Sequence, residues 1–241
     1  MVSCANCNNQ VTGNFCSHCG LAVTTERINK RFILHEIFHQ FHFERGFFYT
    51  VKNLLIKPGE SVKEYINTNR QKHMNPITFI ILTSLIFTLL ANYFHVNELL
   101  ASSQGKEIQK SKITEIFNWT QSNYGYSNIL MSVFIALTTR MFFRKYQYNY
   151  YEIMVLLCFV MGQGMFLLVI ETLFVNMMNA KTYINILTLV SLAYPAWAIG
   201  QFFDKRKFGS YVKAILAYAL GSLLFYLVVI FVGLMADFII N

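Results

Sequence analysis

Apolar residues are spread unevenly along the chain. Residues 1–75 mix polar and apolar positions, and most of the chain beyond them is strongly apolar. Five long apolar runs stand out there, at about 77–94, 127–143, 151–178, 183–203 and 211–238. A helix rises about 1.5 Å per residue, so roughly 20 apolar residues cross the hydrocarbon layer of a bilayer. The runs therefore predict five transmembrane helices. The second is the shortest and carries Arg140 near one end. The third and fifth are long enough to tilt or to project past the bilayer.

Upstream the period changes. Over residues 26–56, Ile33, Leu34, Ile37, Phe38 and Phe41 fall on one arc at about 100° per residue, which predicts one or two amphipathic helices. Lys57-Pro58-Gly59 breaks that pattern, residues 60–72 predict a second short helix, and Asn75-Pro76 marks the start of the membrane part. Both helices are expected along the inner membrane surface. Arg27, Lys30, Arg31, Lys57, Arg70 and Lys72 would lie near anionic lipid headgroups.

Composition agrees with a membrane protein. The chain is 55% hydrophobic and 13% charged, where a soluble domain carries about a quarter charged residues. The net charge of +8 reports topology and lipid contact more than nucleic acid. Placing alternate segments in the cytoplasm puts sixteen Lys and Arg inside and four outside. The positive-inside rule then sets the N-terminus in the cytosol and the C-terminus outside. The first ten residues, MVSCANCNNQ, have neither a charged start nor an apolar stretch, so no cleavable signal peptide is expected.

Four of the five cysteines fall in the first 19 residues, as Cys4-x-x-Cys7 and Cys16-x-x-Cys19. Each CxxC forms a tight knuckle that aims two thiolates at one point. Two knuckles supply the tetrahedral sulfur shell that Zn2+ prefers. Gly20 suits the turn after the second knuckle, and His18 is a bystander within it. A single redox pair would need only one CxxC. So small a ribbon lacks a core of its own, so metal must supply most of its folding energy. Reduced thiols fit a cytosolic N-terminus.

His35-Glu36-Ile37-Phe38-His39 spells HExxH, the zinc-protease signature, in which two His grip a metal and the Glu activates water. His42 lies on the same stripe. One straight helix cannot bring all three to one ion, because His35 and His42 differ by about 10 Å in rise. No motif supplies a third ligand, and the stripe borders an apolar interfacial face. Structural or interfacial histidines are the preferred reading. A second metal site at His35 and His39, or a peptidase with Glu36 as its base, are the alternatives.

Few polar residues fall inside the spans. Glu152 and Glu171 lie near opposite ends of the third, about 28 Å apart, and both are expected to snorkel to the surface. Asp237 is near the outer end of the fifth. Gln163, between Gly162 and Gly164, is polar at mid-span and is read as helix packing. Pro195 is expected to kink the fourth span, and Cys158 to be a small buried residue.

The order of the FCxxCG ribbon end (Phe15 to Gly20), the His-rich helix and ERGFFYTVKNLLIKPGESVKEYINTNRQKHMNPITFIIL resembles a bacterial family of zinc-ribbon membrane proteins. This is the domain-of-unknown-function family numbered 3667. Gly46, Tyr49, Thr50, Pro58, Gly59, Tyr65, Arg70, Asn75, Pro76 and Phe79 carry the likeness. YYEIMVLLCFVMGQ and YPAWAIGQFF extend it to the third and fourth spans. The resemblance implies no assigned reaction. It also implies that HExxH here is a local spelling of a His-rich helix. A weaker, purely architectural similarity is to the Yip1-type five-span membrane proteins, with Lys57-Pro58 and Asn75-Pro76 as the matching pieces.

The expectation is an all-α polytopic membrane protein: a zinc ribbon (1–22), amphipathic interfacial helices (26–75) and a five-helix transmembrane domain (76–241). It would reside in the bacterial inner membrane as a non-enzymatic scaffold, adaptor or sensor. The alternatives are a membrane zinc peptidase and a transporter or channel component, the latter requiring a water-filled cavity that reaches Gln163. Expected partners are the bilayer, a cytosolic protein at the ribbon and a second copy of the chain. Nucleic acid is disfavoured, because the ribbon lacks a basic patch with interleaved aromatics.

Overall fold

The computed structural model describes residues 2–4, 6–20, 46–96, 116, 119–120 and 123–240. Within them lie a short antiparallel hairpin, β1 (Val2–Ser3) and β2 (Gln10–Val11), and seven helices of ten residues or more. These are α1 (Phe47–Ile56), α2 (Pro58–Asn67), α3 (Pro76–Tyr93), α4 (Tyr124–Phe142), α5 (Tyr150–Leu173), α6 (Ala180–Asp204) and α7 (Phe208–Ile240). Each predicted apolar run is a helix, with ends displaced by a few residues.

The helix starts follow from local chemistry. The Asn75 side chain accepts from the amides of Ile77 (2.9 Å) and Thr78 (3.3 Å). Pro76 occupies the first helical position, where a missing N–H costs nothing. At α5, the Glu152 amide donates to Asn149 Oδ1 at 2.8 Å, and the Asn149 amide donates to Glu152 Oε2 at 2.7 Å, a reciprocal cap. Asn179 caps α6 through the Thr182 amide.

Among the described residues, four helices are long and apolar enough to cross a membrane: α3, α5, α6 and α7 over Phe208–Met235. The second expected span, α4, is 19 residues long and is not one of them, because serine, threonine, asparagine and arginine dilute its apolar content. Their placement is informative. Ser127, Asn128, Ser132, Thr138 and Thr139 are buried, whereas Leu130, Val133, Leu137 and Met141 are exposed. The helix buries these polar groups in the bundle beside Met131, Ile135 and Ala136 and turns a stripe of apolar groups outward.

Helix α5 is central. It packs on α3, α4, α6 and the α1–α2 pair, and 72% of its most apolar stretch is buried, against 22% for α7. Leu156, Leu157, Phe159 and Val160 form the middle of the main core. A second cluster, with Phe87, Ala91, Met165, Leu168 and Tyr183, joins α3, α5 and α6 at the far end. Helices α4 and α7 meet through small residues. Ala214 and Ala217 are fully buried, and Thr138 Oγ1 donates to the Ala217 carbonyl at 2.7 Å.

Glu152 and Glu171 depart from expectation. Neither reaches the surface; both are buried. Glu152 is held in by the α5 cap. Glu171 lies beside the Thr172–Tyr183 hydroxyl pair, on a face that α6 covers. Cys158 is buried as expected.

Candidate metal centre and the hairpin beneath it

The four N-terminal thiols converge. Ligand atoms of Cys4, Cys7, Cys16 and Cys19 all lie within 4.8 Å of one another, and they could hold a metal ion. Cys4 and Cys19 Sγ are 3.5 Å apart, as are Cys7 and Cys16 Sγ, and none is in a disulfide. A tetrahedron with metal–sulfur bonds of about 2.3 Å has edges of about 3.8 Å, so the donor set fits a tetrahedral ion.

The local backbone explains the convergence. Within the first knuckle, the Asn8 amide donates to the Cys4 carbonyl and the Cys4 amide to the Asn9 carbonyl, both at 2.9 Å. Asn8 adopts a left-handed φ of 58°. In the second knuckle the Gly20 amide donates to the Cys16 carbonyl at 2.8 Å, with Gly20 at φ 72°, a conformation glycine adopts without strain. Backbone amides of Cys7 and Asn6 aimed at the Cys4 sulfur lower its thiol to about 6. The Cys19 amide does the same in direction for Cys16. Amides that stabilise thiolate prepare the sulfur for a cation. Val11 packs against Cys4 and Cys16 in a core of only three buried residues, too small to fold without help.

The knuckle touches the rest of the protein. Asn69 Nδ2 donates to Asn6 Oδ1 at 3.2 Å. Asn6 stands between the first two cysteines, and Asn69 lies in the 68–75 segment that leads into α3. That segment folds back over the start of α1. The Met74 amide donates to the buried Thr50 Oγ1 at 2.8 Å. Gly46, at φ 132°, has Lys72 O and Met74 N within 3.1 Å of where a Cβ would stand.

Helices α1 and α2 form a hairpin with one face in the main core, through Val51, Leu54, Val62, Tyr65 and Ile66. Phe48, Leu55 and Ile56 remain exposed. Tyr194 of α6 donates its hydroxyl to the Leu54 carbonyl at 3.1 Å, deep in the bundle. The Gly59 amide donates to Gln201 Oε1 at 2.9 Å. A Cβ on Gly59 would stand 2.5 Å from the backbone of Gln201 and Phe202, so only glycine allows α2 to approach α6 this closely. Lys205 pairs with Glu60 at 2.6 Å on the surface.

His73 carries no signal in the sequence. It is buried against Tyr49, Tyr65 and Phe159, with Nε2 3.7 Å from Glu64 Oε2. Burial holds its imidazole below the ordinary value, and Glu64 partly opposes this. Nothing in its polar sequence neighbourhood, QKHMNP, points to that burial.

Of the expected lipid-facing cations, Lys57 is exposed, Arg70 is half-buried, and Lys72 pairs with Glu64 at 3.3 Å. Arg27, Lys30, Arg31 and the whole His35, Glu36, His39 and His42 stripe lie outside the described residues. Gln163 is fully buried. The small cavity in mid-bundle is lined by its neighbour Gly164 and not by Gln163.

Residues 44–88 match the model of a family described as a protein of unknown function (DUF3667). The match covers the hairpin, the 68–75 segment and most of α3. It supports the resemblance read from the sequence and lends nothing to the Yip1-type likeness. Several positions that carry the resemblance now have physical roles: Gly46, Thr50, Gly59 and Asn75 as described, and Phe79 fully buried beneath the hairpin against Phe47 and Phe159. No curated protein and no solved structure matches the chain.

Proposed function

We propose that this is an integral inner-membrane protein of a bacterium in which a zinc-loaded ribbon serves as a cytosolic docking or sensing element for a helical membrane scaffold. The observation that carries this reading is the seating of the cysteine knuckle on the 68–75 segment through Asn6 and Asn69. A ribbon that folds on metal and rests on the segment leading into the first span gives a cytosolic signal or partner a route to the bundle.

The inside-out pattern of α4 supports counting it as the fifth span, since its exposed stripe of Leu130, Val133, Leu137 and Met141 suits lipid. Five spans and the distribution of Lys and Arg favour a cytosolic ribbon and an external C-terminus. Phe48, Leu55 and Ile56 on the outer face of the hairpin would rest in the inner leaflet. Lys57 at the hairpin tip would meet anionic headgroups.

The zinc content of the detergent-purified full chain tests this reading. One ion per chain, lost in Cys4→Ser and Cys16→Ser variants, supports a structural ribbon. No ion in the wild type would remove the ribbon from the account. Two ions, the second surviving those substitutions, would assign metal to His35 and His39 and make Glu36 the residue to replace next.

A further inference from the structure

In the middle of the bundle, away from the ribbon, helix α6 carries Pro195 in its interior. A proline has no N–H, so the carbonyl four residues earlier, that of Ser191, loses its intrahelical donor. In lipid such a group must find a partner within the protein. The Ser191 hydroxyl is enclosed and has no protein partner, and the same is true of Asn128 Oδ1 on α4. Asn128 is 6% exposed.

The residues that carry these groups line one cavity. A cavity between α4, α5, α6 and α7 is lined by Asn128, Ser191 and Pro195, with Gly164, Met161 and Met165 on the α5 side. About 10 Å³ is open to a water's centre there, room for one molecule. An independent observation agrees: a Cβ built on Gly164 would meet no packed neighbour within 4 Å.

We infer that this cavity is a binding site for one structural water molecule, which joins Asn128 on α4 to Ser191, one turn before Pro195 on α6. The hydrogen bonds balance. The water donates once to Asn128 Oδ1 and once to the freed Ser191 carbonyl, and it accepts from the Ser191 hydroxyl. Three groups that would otherwise be orphaned in the membrane interior are satisfied by one molecule.

Adding a methyl at Gly164 distinguishes a wet cavity from a dry one. In a dry cavity Gly164→Ala fills space and favours helix, so the thermal midpoint of the full chain in detergent would rise. In a wet one the methyl displaces the water and strands its three partners. The expected result is a fall of about 2–4 °C, turning into a rise in an Asn128→Leu, Ser191→Ala background. A rise in the wild-type background overturns the inference. Should the triple variant fail to fold, X-ray hydroxyl-radical footprinting of the wild type still decides. Met161 and Met165 are buried to 2% and 0% exposure, so oxidation at both during millisecond exposure requires a water beside them. Their protection would overturn the site. A midpoint that rises in sodium over choline chloride, and only when Asn128 and Ser191 are present, would assign the cavity to a cation and overturn the water.

Discussion

Asn6 and Asn69 are joined side chain to side chain at 3.2 Å, across 63 residues of sequence. One stands inside the cysteine knuckle and the other in the segment that closes over α1. The knuckle is therefore placed by the segment that closes over α1 as well as by its own short strands. Replacing Asn69 with Leu removes that tie and leaves the four thiols in place. Metal content should be unchanged, while limited proteolysis between the ribbon and α1 should speed up several-fold. Loss of metal in Asn69→Leu would show that the ribbon depends on its seat to fold.

Thr50→Val is close to isosteric and deletes the acceptor of the Met74 amide, both groups being buried. A stranded backbone donor costs about 1–3 kcal/mol. The thermal midpoint in detergent should fall, and Thr50→Ser should restore most of it. An unchanged midpoint in Thr50→Val would mean that the segment relaxes to reach solvent.

Gly59→Ala places a methyl 2.5 Å from α6 backbone. Backbone cannot step aside as a flexible side chain can, so overpacking of about 1–3 kcal/mol is expected. Chemical crosslinking between cysteines introduced at Glu60 and Lys205 should also fall, because the hairpin tip moves off α6. Equal crosslinking in the two proteins would place the strain elsewhere.

The folded His73 binds its proton below the ordinary value of 6.5, because burial disfavours the charged ring. The unfolded chain therefore takes up the proton first as pH falls. The stabilisation from the neutral ring is complete above about pH 6.5 and is lost as pH drops through the lower folded value. Glu64 and Lys72 are the charged groups facing it, and Tyr49, Tyr65 and Phe159 supply the apolar walls. Between about pH 7.5 and 5 the wild-type midpoint should fall further than that of His73→Phe. Acid release of any metal held by the four thiols would act on both proteins, so the difference between them isolates the ring. Parallel curves would show that His73 does not contribute.

The helices are legible in the sequence because both signals are local. Apolar runs mark the spans, and Asn75-Pro76 and Lys57-Pro58-Gly59 mark where helices start and stop. The metal-ligand set is legible for the same reason: two CxxC knuckles fix their own geometry. The depth of the hairpin is not. Val51, Leu54, Val62 and Tyr65 read as one apolar face, and a face of that kind suits lipid or protein equally. The choice is made by Gln201 and Tyr194, well over a hundred residues away. Burial of Glu152 and Glu171 is hidden because both stand near span ends, where a carboxylate ordinarily reaches water. The deciding contacts, the Asn149 cap and the α6 cover, are tertiary or need the cap's side-chain geometry. Asn128 is equally silent, because it lies at the edge of the second apolar run and belongs to no recognised motif.

Tyr194, whose hydroxyl holds the Leu54 carbonyl, immediately precedes Pro195. The hairpin thus grips α6 at the turn where that helix has already lost a backbone hydrogen bond and resists bending least. A push on the hairpin would reach α6 at its fulcrum, and small travel there would swing both arms of a 25-residue rod.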